Sequence, residues 1–212
     1  MNGIDLRTYI LLDSLQPQMA SFISTISRGY FPVAGQACTI VEISPGIEIN
    51  RLTDIALKAT NVTPGIQVVE RLFGMLEVHS DSQGDARQAG EAILTELGLQ
   101  ESDRMRPRVL TSQLVKNITD HHAQLINKVR YGNMIVRGET LYVLEVEPAG
   151  YAYFAANEAE KTSHINIINV AGAGRYGRVY IAGPESEVLV SQDIVEQRLA
   201  ELTGRNPAGD SE

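Results

Sequence analysis

The chain predicts an α+β fold built twice in tandem, and three observations carry that expectation. Residues recur at a constant offset of 103: Leu11 meets Leu114, Ala20 meets Ala123, Ile23 meets Ile126, Gly29 meets Gly132, Glu42 meets Glu145 and Gly74 meets Gly177. The apolar pattern travels with the identities, since Ala37 to Ile43 falls on Thr140 to Val146 and a proline, Pro45 or Pro148, follows each run. Composition permits it: 212 residues, 43% hydrophobic and 21% charged, are an ordinary globular mixture with chain enough for two cores of about a hundred residues each. The expected division is a first domain over 1–99, a linker over 100–107, a second domain over 108–204 and a disordered tail over 205–212.

Taken in order, Arg7 to Leu12 and Arg108 to Val115 read as opening strands, and Gln16 to Ile26 with Thr119 to Val129 as short helices. A turn over Gly29 to Gly35, with Pro32 inside it, leads to the strongly apolar strand ending at Ile43, which Pro45 and Gly46 stop. From Asn50 to Thr60, Leu52, Ile55, Ala56 and Ala59 recur at three and four residues, so one apolar stripe packs on a sheet while Arg51, Asp54 and Lys58 stay outside. Ile66 to Val69 and Leu72 to Val78 form a strand pair. Ser82 to Leu97 is a helix with Ala86, Ala89, Ile93 and Leu97 facing inward, capped by Ser82 and ended by Gly98. Its second copy, about Ser186 to Leu202, is two residues longer.

Several function classes are excluded at this level. A formal charge of -8, with no Lys/Arg cluster interleaved with aromatics, argues against nucleic acid and anionic membrane as partners. No segment approaches eighteen uninterrupted apolar residues and no export signal is visible, so a soluble cytosolic chain is expected. Cys38, the single cysteine, lies in an apolar run and reads as a buried, inert thiol. His121 and His122 are adjacent, which on a helix points them about a hundred degrees apart rather than at one metal. His79 and His164 stand alone. Gly172-Ala-Gly-Arg-Tyr-Gly177 matches G-x-G-x-x-G, but a strand-like run, Arg178 to Ala182, follows where a dinucleotide site needs a helix; a hairpin tip is expected instead. No catalytic residues, metal ligands or cofactor site emerge, and the chain is not expected to be an enzyme.

The candidate functional residues lie in Gly65-Ile-Gln-Val-Val-Glu-Arg-Leu-Phe-Gly74, which places Glu70 and Arg71 side by side where the strand pair must turn. The 103-residue offset maps them onto Ala173 and Gly174, a charged turn in one copy and a bare one in the other. Lys58 and Lys161 share one outward helix position in both repeats.

The helix ending Asp54-Ile-Ala-Leu-Lys-Ala-Thr-Asn-Val62, the strand pair after it, and the helix Asp85-Ala-Arg-Gln-Ala-Gly-Glu-Ala-Ile-Leu94 resemble the bacterial microcompartment (BMC) shell domain. In ordinary members the segment resembling Arg7 to Ile23 follows the second helix; here it precedes the shared strand in both repeats, which resembles the circularly permuted tandem shell proteins. The run Ile43 to Lys58 with Val69-Glu-Arg-Leu-Phe-Gly74 is similar to such proteins of the β-carboxysome, and the resemblance covers nearly everything from Leu6 to Gly204. It implies two ferredoxin-like sheets with helices and a homotrimer forming a pseudohexamer, with a dimer of trimers enclosing a chamber. It also implies a place in the carboxysome shell, in the cytoplasm of a cyanobacterium, beside other shell proteins. Glu70 and Arg71 map onto the pair that opens or closes a central pore, with the small Ala173 and Gly174 leaving them alone to set its width. Phosphorylated metabolites such as ribulose bisphosphate and 3-phosphoglycerate are the implied traffic. Lys58 and Lys161 map onto the edge lysine between neighbouring tiles. The Pro-Arg edge motif of ordinary shell domains is absent, with Asp13-Ser14 and Lys116-Asn117 near the corresponding places, which implies weaker tiling or a minor shell component. Without the resemblance, the repeat and the Glu70–Arg71 pair fit a second expectation: a soluble oligomeric metabolite sensor binding its ligand between subunits.

Overall fold

Strand β1 (Asp5–Leu12), helix α1 (Pro17–Ile26), strand β2 (Ala37–Ser44), helix α2 (Ile49–Ala59), strands β3 (Thr63–Glu70) and β4 (Phe73–Ser80) and helix α3 (Gln83–Leu97) form the first repeat in a computed structural model that describes residues 3–206. The second repeat follows the same order as β5 (Arg108–Val115), α4 (Asp120–Lys128), β6 (Thr140–Glu147), α5 (Tyr151–Thr162), β7 (Asn166–Ala171), β8 (Gly177–Gly183) and α6 (Glu185–Glu201). Each is a four-stranded antiparallel sheet, in the orders β1-β2-β4-β3 and β5-β6-β8-β7. The repeat extends to its irregularities: register shifts between Leu6 and Thr8 and between Pro64 and Ile66 recur between Val109 and Thr111 and between Ile167 and Asn169.

The sequence pattern explains why these segments take these forms. In the first sheet both faces are covered, so β2 is buried from Ala37 to Ile43 instead of alternating, with Cys38 and Ile40 in one core cluster and Val41 and Ile43 in another. Burial pushes the Cys38 thiol pKa up, which keeps it protonated and inert. On the outer face, α2 buries Ile49, Leu52 and Ala56, and α3 buries Ala86, Ala89 and Ile93. Ser82 caps α3 by accepting from the Asp85 N–H at 3.2 Å, and Gly98 ends it in the left-handed conformation at φ 67°.

The two repeats do not keep separate cores. One cluster runs from Ile10, Phe22 and Ile40 of the first into Tyr153, Ala156 and Ile167 of the second, because α1 lies between its own sheet and α5. That position accounts for α5, buried without a break from Tyr151 to Ala159. Polar groups fix the seam. Helix α1 has no cap of its own, and the Glu160 carboxylate supplies one from the other repeat, accepting from the N–H groups of Gln18 (2.7 Å) and Met19 (2.9 Å). Glu42 is buried between Arg7 Nε (2.9 Å), Thr8 Oγ1 (3.1 Å) and the Gly150 N–H (2.9 Å), which ties β1 and β2 to the start of α5. Burial pushes the Glu42 pKa up, against the opposing pull of Arg7 and the Gly150 N–H.

The connection expected to be a plain linker is also pinned. Arg104 is buried, donating to the carbonyls of Tyr9 (2.8 Å) and Thr203 (2.9 Å), and Met105 forms a parallel bridge with Arg205. Of the expected tail, Arg205 is therefore anchored, with an ion pair to Asp5, while residues 207–212 lie outside the described residues.

Candidate functional site

The β3–β4 turn consists of Arg71 and Leu72 between the paired residues Glu70 and Phe73. So short a connection forces Arg71 to φ 53°, the left-handed region that costs an L side chain about 1–2 kcal/mol. The strained position displays the guanidinium: the Arg71 side chain is 91% exposed, and its Nε lies 3.7 Å from Glu70 Oε1. Phe73, the first residue after the turn, lies under the buried Arg7 guanidinium at 3.9 Å from the ring centroid.

The β7–β8 turn of the second repeat arrives beside it. Gly172-Ala-Gly-Arg-Tyr-Gly177 forms a hairpin tip, as its following strand requires. Gly174 has φ 103°, and a Cβ placed there would stand 3.6 Å from Glu70 Cγ. The two turns share one cavity of about 450 Å³, walled by Glu70, Arg71 and Phe73 from the first repeat, Glu147, Gly174 and Arg175 from the second, and Met105 between them.

The residues expected to act together divide as follows. Glu70, Arg71 and Gly174 meet in this cavity, whereas Ala173 turns away, packing against the core that joins the repeats. A further long side chain at the turns, Arg175, is exposed, lines the same cavity as Glu70 and Arg71 and points Nε at Glu147 Oε1 across 3.7 Å. Glu147 also receives Arg108 Nη2 at 2.6 Å. A mapping by rigid offset hid Arg175, because it falls on Leu72 rather than on Arg71; the Arg inside the glycine-rich run was the available signal.

Lys58 and Lys161 are not equivalent. Lys58 is 75% exposed and bonded only along its own helix to Asp54 at 2.6 Å. Lys161 is 35% exposed and bridges to Asp13 of the first repeat at 3.1 Å, with Glu158 at 3.6 Å. Its outward position is thus already filled from within the chain. His79 is buried against Glu77 at 3.0 Å, and burial pushes the Glu77 pKa up. Among the described residues no group of three or more His, Cys, Asp or Glu could hold a metal ion, and no helix is long and apolar enough to cross a membrane.

Comparison with known proteins agrees along the whole chain. The family model described as the CsoS1D N-terminal domain matches residues 6–103. The carboxysome shell protein CcmP of Synechococcus elongatus is 50% identical over 208 residues, covering 98% of each chain. The carboxysome shell protein CsoS1D of Hydrogenovibrio crunogenus is 42% identical over 204 residues, 96% of this chain and 100% of its own. Among solved structures, a double-ringed trimeric shell protein from the RMM microcompartment is 42% identical and superposes with a TM-score of 0.92, over 96% of this chain and 100% of that one.

Proposed function

The chain belongs to the family of carboxysome shell proteins that includes CcmP and CsoS1D, and from that membership we propose that three copies close a ring of six repeats whose central opening is gated by Glu70 and Arg71. The protein is a structural component of the carboxysome shell, not an enzyme, and the sensor alternative gives way to that membership.

The observation that carries the gate is the convergence of both hairpin turns on one cavity. If the step relating the first repeat to the second is repeated from chain to chain, each further turn joins the same centre. The surface left open supports this closure. Helix α1 is covered by α5, but its counterpart α4 buries only Ala123 and leaves Leu125 exposed, with Val129 exposed just after its end. Strand β1 is buried along its length, whereas β5, its counterpart, exposes Val109 and Leu110. Both open faces fit the α2 side of the next copy, with residues 1–99 and 108–204 as the alternating units.

Energetics favour two gate states. An exposed ion pair at 3.7 Å contributes about 0–1 kcal/mol, too little to lock either side chain in one rotamer. Small differences of that order let crossed and retracted arrangements coexist. Three cations in the cavity wall, Arg7, Arg71 and Arg175, outnumber its two carboxylates, Glu70 and Glu147, and this local excess draws phosphorylated metabolites such as ribulose bisphosphate and 3-phosphoglycerate, although the whole chain carries -8. Lys58, free at its outer side, serves as the edge contact to neighbouring shell proteins.

The test is passage of 3-phosphoglycerate through reconstituted shells carrying Arg71→Glu. A several-fold fall in entry rate is expected, while unchanged passage would overturn the selective role of Arg71.

A further inference from the structure

The wall of the cavity between the two turns holds a buried cation whose hydrogen bonding is incomplete. The Arg7 side chain is only 7% exposed; its Nε donates to Glu42 Oε1 at 2.9 Å, and its guanidinium lies over the Phe73 ring at 3.9 Å from the centroid. Nη1 reaches only Met105 Sδ, a weak acceptor, at 3.8 Å. Nη2 is buried and, among the described residues, has no hydrogen-bond partner. A charged donor withdrawn from water and left unmet is costly, and native proteins rarely keep one without a use. This one belongs to a residue that lines the cavity of about 450 Å³.

The repeat shows that the fold does not require this arrangement. At the offset of 103, Arg7 falls on Leu110 and Phe73 on Tyr176, while Glu145, the counterpart of Glu42, receives Arg178 at 2.7 Å instead. The buried cation is thus built once per chain, where the two turns meet. Its neighbours leave it available. Glu70 is faced by Arg71 at 3.7 Å, and Glu147 by Arg108 at 2.6 Å and Arg175 at 3.7 Å, so each carboxylate of the wall already has a cation of its own. Leu72, Phe73 and Met105 add apolar surface to the same wall. A fixed cation beside apolar side chains suits a compact organic anion, its charged group on the one and its carbon atoms on the others.

We propose that Arg7 is an oxyanion-binding residue in the wall of the opening, taking one carboxylate or phosphate group of a small metabolite on Nη2; this deepens the gated-pore reading above and rests on it. Glu42 and Phe73 fix the guanidinium, so its remaining N–H groups are oriented before a ligand arrives and little ordering is left to oppose binding. The two arginines of the turns are of another kind. The Arg71 side chain is 91% exposed and that of Arg175 68%, so both stay hydrated and act on an anion through their field, whereas Arg7 acts at contact.

The experiment is calorimetric titration of the purified protein with 3-phosphoglycerate, glycerol 3-phosphate and glycerate, beside Arg7→Lys and Arg71→Ala. The second probe carries only the phosphate and the third only the carboxylate, so the three together tell which oxyanion is held. Arg7→Lys keeps a charge for Glu42 but removes the planar fork, and is expected to weaken the tightest probe at least tenfold, against less than threefold for Arg71→Ala. Wild-type crystals soaked in that probe need no variant to fold, and should place one of its oxyanion oxygens within hydrogen-bonding reach of Nη2. Equal affinity in wild type and Arg7→Lys would overturn the proposal, as would binding of none of the three probes, or a probe held by Arg71 and Arg175 with only water at Nη2. Unchanged passage through Arg71→Glu shells, with binding still lost in Arg7→Lys, would instead overturn the gate and leave the site standing.

Discussion

Arg71 is where local strain and exposure coincide. A residue with a long side chain at φ 53° costs about 1–2 kcal/mol, which a merely structural turn avoids by using Gly or Asn. Arg71→Asn is therefore expected to raise stability in denaturant by about 0.5–1 kcal/mol, because Asn tolerates the left-handed region, while removing the exposed cation. A clear loss of stability would show that the guanidinium has structural work there. Gly177→Ala is expected to act in the opposite direction, lowering stability by roughly 1–3 kcal/mol, since its Cβ would run into the Ala149 carbonyl oxygen beneath the turn. Glu70, Arg71 and the glycine hairpin were legible in the chain because adjacent opposite charges and repeated glycines stand out between apolar runs. Arg175 was not, because hairpin tips tolerate a shift of one residue that a fixed offset does not follow.

At the scale of elements, the seam between repeats was the least legible part. Periodicity located the strands and helices to within a few residues, but nothing in α1 announced that its N-terminus would be capped by Glu160, whose counterpart in the first repeat is Leu57. Glu160→Ala is expected to cost about 1–2 kcal/mol of stability in urea, the worth of a cap, with Glu160→Gln recovering only part. No change in either variant would mean that packing alone holds α1. The Asp13–Lys161 bridge makes a pH-dependent contribution. Hydrogen bonding to Lys161 holds the Asp13 carboxyl below its usual 3.8; for Lys161, burial works downward but Asp13 and Glu158 outweigh it, so its pKa rises above 10.5. The depressed carboxyl contributes stability above pH 3.8 that is lost as pH falls through its folded pKa, and the raised amine contributes below 10.5 and loses it as pH climbs through its own. Melting curves of wild type and Asp13→Asn should thus differ by a constant small amount, at most about 1 kcal/mol, between roughly pH 5 and 9 and converge below Asp13's lowered pKa. A gap that persists in strong acid would show that the bridge is not its source.

For the molecule as a whole, the tandem repeat specified the architecture and the repeat's departures specify how it is used. Where the two copies agree, as in the sheet order and the register shifts, they build equivalent units. Where they differ, as at Lys58 and Lys161, one copy has been taken up by the interface inside the chain and the other left for the outside. That distinction is three-dimensional, and matched positions along a helix do not reveal it. Lys58→Ala is accordingly expected to weaken assembly into flat sheets without changing the size of the ring, and sheet formation at wild-type levels would remove Lys58 from the edge.

The central claim is that a threefold axis brings the Glu70–Arg71 turns together at a closable opening. Single-particle imaging down that axis, wild type beside Glu70→Ala/Arg71→Ala, tests it most directly. The account predicts a ring of three chains whose central opening is wider in the double variant. An opening of the same width in both, or particles with no threefold axis, would contradict it.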